Sequence, residues 1–282
     1  MISYGLGLAV AATVIWAFAS LLAKVMTSKI GSIGFSLVVL SIGIIPTAAA
    51  MLVYPSQPGT IVLSLAVAAG VFLAVGYLFF LKSLRTVQAS DTYATTMLQS
   101  VMITVFGIFA LGEAFTTLDI FGSVLILAGV LFVSMAVGFR PNRQLVPAVF
   151  GNISWAVFWI IAAYVIALYG NIFPFLTYSR LVAALIVVPF FFAFPPSKAE
   201  RKASRGGMFL LLGVTAAMLS GFGNMAFGLL TGVQLIAVGS MITTLSPLLV
   251  VILAHFVLKE RLAKKQVAGV LVATVGAMVM VL

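Results

Sequence analysis

The sequence predicts an all-α polytopic membrane protein, with ten transmembrane helices arranged as two inverted five-helix repeats around a central cavity. Three observations carry that prediction. Of 282 residues, 63% are hydrophobic and only 7% are charged, against roughly 45–50% and about 25% in soluble domains. The apolar residues fall into ten runs separated by short polar breaks, each close to the roughly 20 residues that cross a bilayer. Finally, the chain resembles itself when shifted by about half its length.

The first run, 3–26, lacks the basic leader and small-residue cleavage site of a signal peptide, and is read as the first span of the mature protein. The others follow at 33–54, 61–82, 91–112, 118–138, 145–169, 172–194, 208–231, 236–257 and 266–282. Breaks such as PSQPGT at 55–60 and FRPNR at 139–143 end helices because proline cannot continue them. The longest break, PPSKAERKASRGG at 195–207, is read as a loop. Helices satisfy their backbone polar groups within the segment, so long apolar runs in lipid are helical.

The basic residues are sorted by side. Lys24, Lys29, Lys82, Arg85, Arg140, Arg143, Lys198, Arg201, Lys202, Arg205, Lys259, Arg261, Lys264 and Lys265 flank the loops joining odd to even spans. Together they are 14 of the 15 Lys and Arg residues. The opposite loops carry Glu113 and Asp119 and no basic residue. By the positive-inside rule, loops 1–2, 3–4, 5–6, 7–8 and 9–10 are expected in the cytoplasm and both termini outside an inner, cytoplasmic membrane. The net charge of +10 is thereby a topology signal, and nucleic acid is not an expected partner. The expected partners are the lipid bilayer and a small-molecule substrate, with the chain a monomer or weak dimer.

The self-similarity is specific. Glu113 maps onto Glu260, a shift of 147. The same shift maps Gly76-Tyr77 onto Gly223-Asn224, Leu98 onto Leu245, Gly122 onto Gly269 and Gly129 onto Gly276. A slightly smaller shift maps Trp16-Ala17 onto Trp155-Ala156 and Pro46 onto Pro189. The halves are 1–138 and 145–282. Five is odd, so the second half enters the membrane from the opposite side. That is the plan of secondary transporters whose substrate site lies near the midplane between inverted halves.

The stretch SPLLVVILAHFVLKERLAKKQVAGVLVATVGAMVMV at 246–281 resembles the end of an EamA-type domain of the drug/metabolite transporter superfamily. So do GIFALGEAFTTLDIFGSVLILAGVLFV at 107–133, the tryptophan in the first span of each half, and YSRLVAALIVVP at 178–189. The resemblance covers essentially the whole chain. It implies ten helices in two inverted repeats, a cavity lined mainly by spans 1, 3, 4, 6, 8 and 9, and movement of small metabolites, often amino acids, amines or nucleotide derivatives. Alternating access of the two halves is the mechanism expected of that plan. Two features depart from the family. Ser100 stands where the second half has Pro247, so span 4 is expected to lack the kink of span 9. Family members usually place both termini in the cytoplasm, whereas the charges here argue the reverse.

Site candidates follow from what is polar or aromatic inside the spans. No carboxylate lies inside one: Asp91 and Asp119 only begin spans 4 and 5, and Glu200 is in a loop. Glu113 and Glu260 occupy equivalent ends of spans 4 and 9, as gates or as helix-end hydrogen-bonding groups beside a turn, and Pro247 offers a bend point within span 9. Arg180 lies about eight residues into span 7, at a depth that costs about 2.5–3.5 kcal/mol at a helix centre. It is either an anchor for a substrate carboxylate or phosphate, or a donor to helix-end carbonyls; Tyr178 lies beside it. Asn152, Trp155 and Trp159 share one face of span 6, with Trp16 as the repeat partner of Trp155. Tyr77 and Asn224 are partners on spans 3 and 8. Span 4 adds Thr92, Thr95, Thr96 and Gln99, and span 9 adds Ser240, Thr243, Thr244 and Ser246, polar groups that turn inward in hydrocarbon.

With no cysteine and no ligand cluster, neither a metal nor a cofactor is expected. Lone His255 and interfacial glutamates assemble no catalytic constellation, so the chain is not read as an enzyme. Nor does it show the charged rings of a channel. An aromatic cavity without acids suits two cargoes. One is an amphipathic metabolite, an amino acid or related compound, with export first. The alternative is a quaternary amine such as choline, held by cation–π contacts and moved by uptake or exchange.

Overall fold

The computed structural model describes residues 2–135, 143–232, 236–259 and 263–281, and every described element is helical. The first half contains α1 (Ile2–Ile30), α2 (Ser32–Ile42), α3 (Ile44–Val53), α4 (Thr60–Thr86), α5 (Ala89–Ala94), α6 (Thr96–Leu111) and α7 (Thr117–Met135). A short 3₁₀ turn at Arg143–Leu145 leads into the second half. There follow α8 (Val146–Tyr169), α9 (Phe173–Ala193), α10 (Lys198–Ser204), α11 (Gly207–Gly232), α12 (Ile236–Thr243), α13 (Ser246–Leu258) and α14 (Lys264–Val281).

Among the described residues, seven helical stretches are long and apolar enough to cross a membrane, and three shorter apolar helices cover 96–111, 117–132 and 267–279. Large apolar side chains point outward from them; Phe109 is 84% exposed, and Phe192 and Phe256 75%. In water such a surface would be intolerable, whereas in lipid it costs nothing. The chain is a multi-pass integral membrane protein.

Among the described residues, three spans are broken, each with a local cause. Gly43 separates α2 from α3, three residues before Pro46, which has no amide to offer the Ile42 carbonyl. Pro247 does the same beside the α12–α13 break, where Leu245 and Leu248 turn to carbonyls three residues back, Ile242 and Leu245, each at 3.0 Å. The expectation that span 4 lacks this break is corrected. It divides at Thr95 without a proline, and Leu98 donates to the Thr95 carbonyl at 3.2 Å, the repeat equivalent of the Leu245–Ile242 bond. The cause is hydroxyl competition. Thr95 and Thr96 each donate a side-chain bond of 2.7 Å to a carbonyl three residues back, those of Thr92 and Tyr93.

The principal packing runs between the halves and is reciprocal. First-half α1 packs on second-half α11, and second-half α8 packs on first-half α4, while α7 pairs with α14. Small residues permit it. A methyl group on Gly276 would stand 2.6 Å from the Gly122 carbonyl oxygen, so α7 and α14 approach this closely only at glycine.

The break at 195–207 is not merely a loop, because it contains α10. Ser197 caps it, accepting from the Glu200 amide at 3.3 Å while Glu200 accepts from the Ser197 amide at 2.7 Å, a capping box. Glu200 also pairs with Arg85 at 2.8 Å. Nearby, Lys24 donates to the carbonyls of Leu84 and Val87, at 2.8 and 2.5 Å, at the C-terminal end of α4.

Candidate functional site

Glycines position the aromatic residues first. Trp16 of α1 lies on Gly223 of α11, where any Cβ would overlap its ring, and Trp155 of α8 lies on Gly76 of α4 in the same way. Each tryptophan then meets the phenylalanine one turn further along that helix. Trp16 and Phe227 are 5.4 Å apart between ring centroids, and Trp155 and Phe80 are 4.8 Å apart. Trp159 joins the first cluster, 6.1 Å from Trp16 and 4.6 Å from Phe227. Tyr77 stands edge-on to Trp155 at 5.1 Å. All three tryptophans of the chain are used.

Between these clusters lies a cavity of about 150 Å³. Of the residues singled out in the sequence, Trp16, Tyr77, Thr96, Gln99, Ser100, Trp155, Trp159, Asn224, Thr243, Ser246 and Pro247 line it. Its wall follows the segments of α1 and α4 that lead to Lys24, Lys82 and Arg85, so it reaches from the middle of the fold toward the basic face. Span 2 also contributes, through Phe35 and Val39.

Other candidates stand outside the wall. Asn152 is buried beneath it and donates to Thr95 Oγ1 at 2.7 Å and to the Ala148 carbonyl at 2.8 Å. It thereby ties α8 to the break in span 4. Tyr178 is half-buried on α9 and packs against the hydrophobic core. Arg180 is fully buried. Its Nη1 donates to the Val39 carbonyl, and its Nη2 to the Ser220 carbonyl and Oγ, all at 3.2 Å. It thus sits one layer behind the wall, with Val39 and Ser220 between it and the cavity.

Away from the basic face, the halves are joined by polar bonds. The Glu113 carboxylate accepts from the amides of Ile236 at 2.9 Å and Ala237 at 2.7 Å, the first turn of α12. A carboxylate is the natural cap for the positive end of a helix. One turn further in, Thr104 and Ser240 share a hydroxyl bond of 2.7 Å, and Ser240 reaches the Ser100 carbonyl at 3.3 Å. Glu260, the repeat partner of Glu113, lies outside the described residues.

Sequence reasoning passed over Ser220, Phe80, Phe227 and Tyr93. Phe80 and Phe227 stand 147 apart, so the repeat shift alone could have found them. Ser220 could not have been found that way, because its importance comes from Arg180 and from Tyr77, whose hydroxyl lies 2.7 Å from Ser220 Oγ. The cavity can therefore hold a small body between aromatic faces and offer it neutral hydrogen-bonding groups. Among the described residues, no group of three or more His, Cys, Asp or Glu could hold a metal ion.

The comparisons agree with this architecture. No curated protein matches the chain in sequence. A solved structure described only as the crystal structure of a protein shares 18% identity, superposes with a TM-score of 0.72, and matches over 99% of this chain and 96% of its own. At that identity the likeness is one of fold. A family model for EamA-like transporters matches residues 3–135 and again 145–282, one match for each repeat. That family is a class of membrane transporters of small molecules and not of enzymes, and this chain belongs to it.

Proposed function

We propose that the protein is a secondary transporter of a small amphipathic metabolite, an amino acid or related compound, exported across the cytoplasmic membrane by alternating access of two inverted five-helix halves. The observation that carries this reading is the cavity between the halves, into which every tryptophan of the chain is gathered. The reading of ten spans is supported by the seven long stretches taken with the three shorter apolar helices. The sorting of charge supports a cytoplasmic basic face with the termini outside, and the proposed working form is a monomer or weak dimer.

On this reading the cavity is entered from the basic, cytoplasmic face, as suits export. The aromatic faces of Trp16, Trp155 and Trp159 hold the apolar body of the substrate. Gln99, Asn224 and Ser246 supply donors and acceptors, and Tyr77 supplies a hydroxyl. The opposite face is closed by Glu113 on the α12 amides and by the Thr104–Ser240 bond. Opening that face requires both to release. The broken spans 4 and 9, which carry those groups, are the elements that move.

The test is a thermal-stability screen of the purified protein against amino acids, choline-like amines, nucleosides and polyamines. An amino acid or close relative is expected to stabilise the wild type, and Trp159→Ala is expected to remove that shift while leaving the unliganded protein folded. A stabilising ligand whose effect survives Trp159→Ala would place its site elsewhere.

A further inference from the structure

Arg180 is donor-only and always protonated, and its three hydrogen bonds all go to neutral oxygens. Of the five acids in the sequence, three are engaged elsewhere: Glu113 on α12, Glu200 on Arg85, and Asp119 on the amide and hydroxyl of Thr116, both at 2.7 Å. Asp91 and Glu260 lie outside the described side chains. The guanidinium charge is therefore placed in the protein interior with its two terminal nitrogens bonded to neutral oxygens and its Nε buried without a partner, so that its field is not cancelled by these contacts.

The room for it is built. A Cβ on Gly43 would overlap Arg180 Nη1, so the break between α2 and α3 both accommodates the guanidinium and brings the Val39 carbonyl within its reach. From Arg180 a chain of hydroxyls leads to the cavity. Nη2 donates to Ser220 Oγ, and Ser220 Oγ is bonded to Tyr77 Oη; both Ser220 and Tyr77 line the cavity wall. Hydrogen bonds in such a chain polarise one another, and a charge in a low-dielectric interior acts over several ångströms.

We infer that Arg180, acting through Ser220 and Tyr77, holds the cavity at positive potential and selects substrates that carry an oxyanion, a carboxylate or a phosphate, over substrates that carry a fixed cation. The acidic group lies at the Tyr77–Ser220 end, and the apolar body lies among the tryptophans. Arg180 is a positioning residue that never touches the substrate. The inference rests on the reading of the cavity as the substrate site, and it removes the quaternary amine that aromatic walls alone would admit.

The chain has no cysteine, so a single Ser20→Cys in the cavity wall can report the local potential with no substrate present. Its labelling rates by anionic 2-sulfonatoethyl and cationic 2-trimethylammonioethyl methanethiosulfonate are measured, and their ratio is compared with that for free 2-mercaptoethanol. With Arg180 intact, the ratio is expected to favour the anionic reagent about tenfold over that baseline. Arg180→Gln, which keeps donors for Val39 and Ser220, and Arg180→Met should both abolish the bias, and Arg180→Lys should retain it. A ratio equal to the free thiol's with Arg180 intact would overturn the inference without any Arg180 variant. So would a bias that survives Arg180→Gln, since the potential would then come from the basic rim. Should either result accompany a Trp159-dependent ligand shift, the inference falls and the site reading stands. No labelling by either reagent would remove the site reading and the inference with it.

Discussion

The two tryptophan cradles of the cavity repeat one tryptophan–glycine–phenylalanine arrangement and differ in the residue beside the glycine and in Trp159, which joins only the Trp16 cradle. Trp16 rests on Gly223 and Phe227, and Trp155 on Gly76 and Phe80, the same residues 147 apart. Beside the glycine, one cradle has Asn224 and the other Tyr77. Asn224 Oδ1 accepts the Trp16 indole N–H at 3.2 Å, so that cradle closes on itself. Tyr77 has no oxygen within reach of the Trp155 indole. Trp155 Nε1 is buried without a hydrogen-bond partner, and the Trp155 and Tyr77 rings meet edge to face. The Tyr77 hydroxyl turns instead to Ser220, and through Ser220 to Arg180. Packing kept the symmetry of the repeat, and one substitution diverted its polar chemistry from holding a tryptophan to carrying a charge toward the cavity.

The largest effect should come from breaking what the cradles share. Gly76→Ala and Gly223→Ala each push a methyl into an indole and should destabilise by about 1–3 kcal/mol, the usual cost of overpacking. Thermal unfolding in detergent should show similar drops in Tm for both. Gly7→Ala, at a site with nothing within 4 Å, should leave Tm unchanged or slightly raised, because alanine favours a helix. Unequal drops at the two glycines would mean the cradles are not equivalent in packing.

A smaller effect separates what differs. Trp16→Phe leaves the Asn224 carbonyl oxygen without its donor, whereas Trp155→Phe loses no hydrogen bond. Beyond the packing loss common to both, Trp16→Phe should cost about 1–3 kcal/mol more, as for a buried polar atom left unpaired. The same unfolding measurement checks it. Equal costs would show that the Trp16–Asn224 bond contributes nothing.

Much of this architecture could be read in advance, and for definite reasons. Apolar runs and the sorting of charge are properties of composition along the chain, and membranes impose both directly. The repeat shift places Trp16 with Trp155 and Tyr77 with Asn224, which is enough to point at the cavity. Tertiary chemistry is what hid the rest. The break in span 4 comes from Thr95 and Thr96 bonding backward, and no proline or glycine marks it. Arg180 was visible as an unpaired charge, but whether it met substrate or carbonyls depended on Gly43 opening a gap on a different span. By contrast, α10 was there to be read, since Ser197 and Glu200 form a capping box on sequence spacing alone. Its residues were too polar to stand out beside the apolar runs.

Because every tryptophan lines the cavity, intrinsic fluorescence tests the central claim directly, namely that substrate sits between the two cradles. The best stabilising ligand from the screen should change the tryptophan emission of the wild-type protein over the same concentration range that raises its Tm, and Trp159→Phe should remove part of that change. A ligand that stabilises the protein while leaving the emission untouched would contradict the account.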